Sequence, residues 1–183
     1  LDKLLRIIVR ESDRVDRLVS QLINFAKPAK NEKIRLSIKK IVEECIESIG
    51  ARADFQALKV NFKVQIPADI FILSNEDQFR EVATNLITNS MQAFLDMKVQ
   101  RPLQIEIVCV KKGQFIELDF KDNGPGVPKD NQPRVFDLFF STKPYGIGLG
   151  LAQVHKIIRE HDGSIDLETT EGQGTCMKIK LPA

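Results

Sequence analysis

Cysteine is scarce and poorly placed for structural chemistry. Cys45, Cys109 and Cys176 are odd in number, far apart and form no C-x-x-C pair, which argues against a disulfide framework or a zinc site and fits a reducing cytoplasm. Long hydrophobic runs are also missing. No apolar stretch reaches the roughly 20 residues that cross a bilayer, and no secretory leader opens the chain. The chain starts without Met and already inside a helical pattern, so it is expected to be a fragment, with membrane attachment left to any anchor upstream. Charge of one sign is lacking too: 27 basic and 25 acidic residues are interspersed and leave a net charge of +2. That balance gives no basis for nucleic acid or an anionic membrane as the main partner. What is present is a globular composition. The 183 residues, 43% of them hydrophobic, suffice for one domain of ordinary size plus an appendage.

The stretch from Asp122 to Ala152 organises the rest. Ile116, Leu118 and Phe120 alternate with Glu117, Asp119 and Lys121, so a half-buried strand delivers the chain to Asp122. Asn123-Gly124-Pro125-Gly126 then imposes a turn, leaving a carboxylate at a strand end beside permissive backbone, well placed to accept a ligand donor. Further on, Gly146, Gly148 and Gly150 alternate with Ile147, Leu149 and Leu151, and apolar residues recur at Val154, Ile157 and Ile158. A helix therefore opens directly from a glycine-rich loop, a junction whose free N–H groups and dipole favour an anion, most often phosphate. It is not a P-loop, since no Gly-Lys-Ser/Thr follows, and its spacing is not the Rossmann fingerprint. Between the glycine clusters, residues 127–147 fit neither helix nor strand periodicity and are expected to form a mobile lid carrying Phe136, Phe139, Phe140 and Lys143.

Residues 1–27 read as a long helix. Leu1, Ile8, Val15 and Leu22 recur every seven residues, with Leu4, Leu18 and Phe25 at the complementary positions and Glu11 interrupting the seam; so narrow a seam is expected to pair with another helix. Pro28 ends it and a polar linker occupies 28–33. An edge strand around Ile34 and Leu36 leads to Ser37, a helix cap, followed by the stripe Ile38, Ile41, Val42, Cys45, Ile46 and Ile49. Strands are expected at 58–64 and 70–73. The next helix, capped by Ser74 or Asn75, buries Phe79, Val82, Ala83, Leu86, Ile87, Met91 and Phe94. Beside that stripe Glu81, Asn85 and Asn89 recur at four-residue intervals and stack on one face. Asparagine is a poor helix-interior residue, and one carboxylate with two carboxamides is a set of hard oxygen donors suited to Mg²⁺.

Taken together, these segments resemble sensor histidine kinases of two-component systems. Glu81-x-x-x-Asn85-Leu86-x-x-Asn89 resembles their N box, Asp122-Asn123-Gly124-Pro125-Gly126-Val127 the G1 box, Phe136 to Lys143 the F box, and Gly146 to Leu151 the G2 box, while Gly172, Gly174 and Thr175 resemble the closing Gly-Thr motif. The FSTKP-x-G-x-GLGL form is most similar to the nitrogen-regulator type. Residues 1–27 resemble the second helix of the dimerisation and phosphoacceptor domain, and 34–183 the ATP-binding catalytic domain. The H box that carries the phosphoacceptor is absent; His155 and His161, the only histidines, are expected to be structural or surface residues.

The resemblance implies the GHKL (Bergerat) ATPase fold, an α/β two-layer sandwich in which one mixed sheet is covered on one face by helices over 37–57, 75–97 and 148–161. Hairpins are expected at 105–121 and 164–181. It implies ATP and Mg²⁺ as cofactors. Asp122 would accept the adenine amino group with help from Thr175, discriminating against guanine; Asn85 and Asn89 would hold the metal; Glu81 would orient or deprotonate the attacking imidazole. Lys143, Gly148 and Leu149 would meet the phosphates, with Gly124, Gly126, Val127, Gly146 and Gly150 shaping the backbone around the nucleotide and Phe139 and Phe140 closing the lid. The implied partners are the protein's own phosphoacceptor domain, a second copy in a homodimer, and the receiver domain of a response regulator. Two other readings stand beside this one: a clamp ATPase of the gyrase, mismatch-repair or Hsp90 type, disfavoured by Asn89-Ser90 where those proteins resemble an N box ending in Asp, and a non-catalytic nucleotide-sensing module.

Overall fold

The computed structural model describes residues 2–26, 32–52, 55, 58–96, 101–143 and 146–183. The chain opens with helix α1 (Asp2–Ala26), then β1 (Ile34–Ser37), α2 (Ile38–Gly50), β2 (Val60–Gln65), β3 (Phe71–Ser74), α3 (Glu76–Asp96), β4 (Leu103–Lys112), β5 (Phe115–Asp122), α4 (Gly150–Glu160), β6 (Ser164–Thr170) and β7 (Gly174–Pro182). Of the linker expected over 28–33, only residues 32 and 33 lie within the described part.

Five strands form one mixed sheet in the order β2-β4-β5-β7-β6. All neighbours are antiparallel except β2 and β4, which run parallel because the chain returns to the sheet through β3 and α3, as a parallel pair requires. Alternation then sorts the side chains. Leu103, Ile105, Ile107 and Cys109 of β4, Ile116, Leu118 and Phe120 of β5, and Met177, Ile179 and Leu181 of β7 all point to the buried face. The opposite face carries cross-strand charges, with Lys63 beside Glu106 at 2.5 Å and Lys178 beside Glu168 at 2.6 Å. One face is thus covered and one solvated, the two-layer arrangement expected from the sequence.

Helices α2, α3 and α4 cover the apolar face. Ser37 caps α2 by accepting the Lys40 N–H at 3.4 Å, and Asn75 settles the choice at the start of α3 by accepting the Gln78 N–H on its Oδ1 at 3.2 Å. α2 ends at Gly50, not 57: the Ala51 N–H closes the last turn onto the Glu47 carbonyl, just after Ile49, the last residue of its buried stripe. A second departure is that β1 and β3 do not join the main sheet. They pair only with each other, Ile34 opposite Ser74 and Ser37 opposite Phe71, because each runs directly into a helix cap after four residues.

α1 is a continuous helix whose apolar surface is broader than one heptad seam. Leu4, Ile8, Val15 and Leu22 are exposed as expected for an unpaired seam, and so are Leu5, Val9, Val19 and Ile23 one position over. Leu1 and the side chain of Leu18 lie outside the described residues. Where α1 ends, the Lys156 ammonium of α4 donates to the Phe25 carbonyl at 2.6 Å and sits 4.8 Å from its ring. Among the described residues no helix is long and apolar enough to cross a membrane.

Leu118, fully buried at the middle of the central strand, is the most direct test of this core. Leu118→Ala should destabilise the protein by about 2–5 kcal/mol through lost burial and a residual cavity, read as a lower denaturant midpoint at unchanged slope.

Candidate functional site

The site forms where α3, the end of β5 and the start of α4 meet. Asp122, the last residue of β5, is half-buried and held by donors from three elements. Its Oδ1 accepts the Gly124 N–H at 2.8 Å and the Thr175 N–H of β7 at 3.2 Å; its Oδ2 accepts the Ser90 hydroxyl of α3 at 2.7 Å. Burial pushes the carboxyl above its ordinary pKa, and these three hydrogen bonds pull it back. Oδ2 keeps one lone pair free for a further donor, as an exocyclic amine would require.

The G1 turn is pinned on both sides. Asn123 returns its amide to β4, with Oδ1 accepting the Gln104 N–H and Nδ2 donating to the Pro102 carbonyl, so this residue builds the turn and faces away from any ligand. Arg101 donates to the carbonyls of Asn123, Gly124 and Gly172, tying the turn to the β6–β7 hairpin. Gly126 packs so closely on β6 that a Cβ would stand 2.3 Å from the Thr170 carbonyl oxygen. Val127 donates its N–H to Thr169 Oγ1 at 3.0 Å, and that hydroxyl donates to Gly174 O. With its one proton so used, Thr169 receives its 3.3 Å contact from Thr175 Oγ1, which makes Thr175 the donor.

Glu81, Asn85 and Asn89 form the expected row on α3, all half-buried, and face the start of α4. Gly150 makes this approach feasible, since a Cβ there would lie 3.1 Å from Asn85 Oδ1. At the far end the Lys143 ammonium donates to Asn89 Oδ1 at 3.1 Å and Gln92 Oε1 at 3.0 Å. An ammonium is thus held at this end of the row by the carboxamide oxygens of Asn89 and Gln92. No group of three or more His, Cys, Asp or Glu that could hold a metal exists among the described residues, so a cation here would draw the rest of its shell from phosphate and water, as Mg²⁺ commonly does. Burial lowers the Lys143 pKa and raises that of Glu81, which Gln153 and Lys156 partly offset.

The segment between the glycine clusters is a chain of turns around a short 3₁₀ turn, Gln132–Arg134, with Gln132 Nε2 donating to Val127 O at 2.9 Å. Val135 is buried, and Phe136 packs on the core with its ring centroid 5.4 Å from that of His155. Phe136 is therefore the aromatic that seats this segment. Phe140 carries Arg134 over its ring, whereas Phe139, at φ 65°, is 60% exposed. Its N–H donates to Gly148 O at 2.9 Å, and Gly148, at φ 73°, lies so close that a Cβ would stand 2.4 Å from the Phe139 carbonyl carbon. Only glycine fits there. Gly146 folds back on Ser141, and buried Leu149 precedes α4 without a side-chain cap, leaving the first N–H groups of the helix available to an anion.

The two histidines divide as expected. His155 is exposed; His161 is buried, with Nε2 2.8 Å from Ser74 Oγ and Nδ1 2.8 Å from Ile157 O. Ser90, Gln92, Arg101, Gln153 and Thr169 join the site without having stood out in the sequence. Only Ser90, directly after Asn89, lay beside a motif already singled out.

The profile of the family described as "Histidine kinase-, DNA gyrase B-, and HSP90-like ATPase" matches residues 74–183. The sensor histidine kinase ZraS of Escherichia coli K12 is 27% identical over 98% of this chain and 37% of its own length; the sensory histidine kinase/phosphatase NtrB of Rhizobium meliloti is 30% identical over 98% and 49%. The chain thus spans less than half the length of these curated relatives. Among solved structures, the catalytic domain of histidine kinase ThkA superposes with a TM-score of 0.70 at 23% identity, covering 82% of this chain and 97% of its own. Full-length ShkA in complex with AMPPNP gives 0.77 at 23% identity, over 96% and 37%. At these identities the structural likeness speaks for the fold.

The Lys143 contact sets up a direct test of the lid. Lys143→Met should accelerate amide exchange over residues 139–143 in nucleotide-free protein, because the two hydrogen bonds tying this segment to α3 are lost. Exchange indistinguishable from wild type would show that other contacts hold it.

Proposed function

Because this chain belongs to the histidine kinase-, DNA gyrase B- and HSP90-like ATPase family, we propose that it is the ATP-binding catalytic portion of a sensor histidine kinase, transferring the γ-phosphate to a histidine outside residues 1–183. One observation carries this reading: the row Glu81, Asn85 and Asn89 faces the uncapped start of α4 at a close approach that Gly150 permits, with Asp122 fastened to Ser90 on the same helix as that row. A base acceptor, oxygen donors for a cation, an anion-binding helix start and a carboxylate base thus line one cleft.

In this reading Asp122 accepts the adenine amino group through the free lone pair of Oδ2, with Thr175 beside it. Asn85 and Asn89 hold Mg²⁺, which supplies charge neutralisation at the phosphates when bound. Lys143 gives up Asn89 to turn toward phosphate, beside Gly148, Leu149 and the uncapped N–H groups at the start of α4. Gly124, Gly126, Val127 and Gly146 shape the cleft walls, and Phe139 and Phe140 travel with the lid. Glu81 takes the proton from one imidazole nitrogen as the lone pair of the other forms the N–P bond and the P–O bond to the leaving ADP breaks.

The same reading divides the chain into a dimerisation helix over 1–27, a linker over 28–33 and the catalytic domain over 34–183. The exposed apolar face of α1 suits a helical bundle with a second copy and with the phosphoacceptor helix. A response-regulator receiver domain accepts the phosphoryl group, and the reactions run in the cytoplasm.

Two measurements test the assignment. Calorimetry should show Mg²⁺-dependent binding of ATP over GTP, and Asp122→Asn should weaken ATP about 10–100-fold, the loss of one hydrogen bond to a charged group; equal affinity for ATP and GTP would remove the basis for the base assignment. In transfer to a supplied H-box domain, Glu81→Gln should lower the rate about 10²–10⁴-fold with ATP affinity near wild type. Since burial raises the Glu81 pKa, the base is protonated at a higher pH than a free glutamate, and the wild-type rate should fall on acidification already above pH 4.5. The buried ionised carboxylate opposes folding above its folded-state pKa, so Glu81→Gln should also raise the melting temperature at neutral pH, an opposition of stability and rate that a surface glutamate would not show.

A further inference from the structure

Gln153 lies in the first turn of α4 and faces α3. Its Nε2 donates to Glu81 Oε2 at 3.4 Å, and among the described residues this is the only hydrogen bond to that carboxylate. The other end of the same amide is anomalous: Gln153 Oε1 is buried and has no partner, the only buried side-chain oxygen or nitrogen so placed among the described residues. Buried polar atoms are nearly always satisfied, and an exception calls for a physical reason. An apolar residue of similar length would fill this position without leaving an oxygen stranded.

The surroundings leave few alternatives for Glu81. Arg80, its neighbour, is turned toward α2 and the preceding turn, where it pairs with Glu44 and Glu76 at 2.7 Å each. Lys156, one turn beyond Gln153 on α4, acts on Glu81 only through its field; its ammonium is engaged by the Phe25 carbonyl and lies 3.9 Å from Glu160. That leaves the Gln153 amide as the one group hydrogen-bonded to the Glu81 carboxylate among the described residues.

We propose that Gln153 is a positioning residue for Glu81, its amide holding the carboxylate in one orientation through both protonation states. Toward ionised Glu81 the amide presents N–H, as seen here. Once Glu81 has taken up a proton it becomes an O–H donor, and a half-turn of the amide brings Oε1, the atom now without a partner, to accept it. The unsatisfied oxygen is the acceptor kept for the second state. This rests on the reading of Glu81 as the proton acceptor.

The test is a carboxyl ¹³C titration of Glu81 in this chain without nucleotide, together with the pH profile of transfer to a supplied H-box domain. Gln153→Met keeps length and removes both polar ends. Because the charge-assisted bond to the carboxylate outweighs the neutral bond to the acid, the substitution should raise the Glu81 midpoint and the acid limb of the rate, by up to about one pH unit, a tenfold change in proton affinity, at unchanged ATP affinity. Gln153→Glu, which sets a second carboxylate beside the first, should raise both further, and Gln153→Met should cost nothing more when added to Glu81→Gln. A midpoint unmoved in both Gln153 variants, or a loss that is equal at every pH and adds to that of Glu81→Gln, would overturn the positioning role while leaving Glu81 as the base. A wild-type rate for Glu81→Gln would instead sink the reading of Glu81 itself, and this inference with it.

Discussion

The arrangement depends on one half-buried carboxylate. Asp122 ends the central strand, and the groups that satisfy it come from α3, the G1 turn and β7. Taking a carboxylate partly out of water is costly unless it is hydrogen-bonded, so the three elements must stay in register to supply its donors. That requirement fixes α3 against the end of β5, and with it the placement of the asparagine row where it packs against the start of α4. The same residue therefore sets both the floor of the site and the relative placement of its walls.

On the opposite side the constraint is spatial. α3 and α4 approach closely because α4 begins with Gly150, and Phe139 and Phe140 pack over Gly148 because no side chain separates it from their backbone. The charged groups at the rim are balanced differently. Lys143 leans on two carboxamide oxygens, a neutral partnership that holds the amine without a carboxylate in contact. Such a contact is strong enough to order a segment and weak enough to exchange for a better anion.

Much of this was legible from local pattern. The i+4 spacing of Glu81, Asn85 and Asn89 placed them on one helical face, the alternation before Asp122 placed it at a strand end, and the cap residues Ser37 and Asn75 lay where helix chemistry requires. What pattern could not reach is contact across long sequence separations. Ser90 serves Asp122 across 32 positions, Gln153 reaches Glu81 across 72, and Arg101 reaches Gly172 across 71; nothing in the residues nearby marks such partners in advance. The lid aromatics show the same limit. Phe136, Phe139 and Phe140 are indistinguishable by type, yet a left-handed turn at Phe139 exposes one while the core takes another. On α1, a heptad reading found one seam, whereas Leu5, Val9, Val19 and Ile23 extend the apolar surface beside it.

The sheet order carries a consequence for the order of assembly. β7 lies between β5 and β6 although it is the last strand in the chain, and its pairing sets Asp122 opposite Thr175. The hydrogen bond from the Thr175 N–H, and the closure of the turn by Gly172, exist only once that strand has inserted. During synthesis the site is therefore incomplete until nearly the whole of residues 34–183 has emerged, and a nascent chain lacking β7 would present an unpaired central strand edge ending in a carboxylate short of one of its three donors.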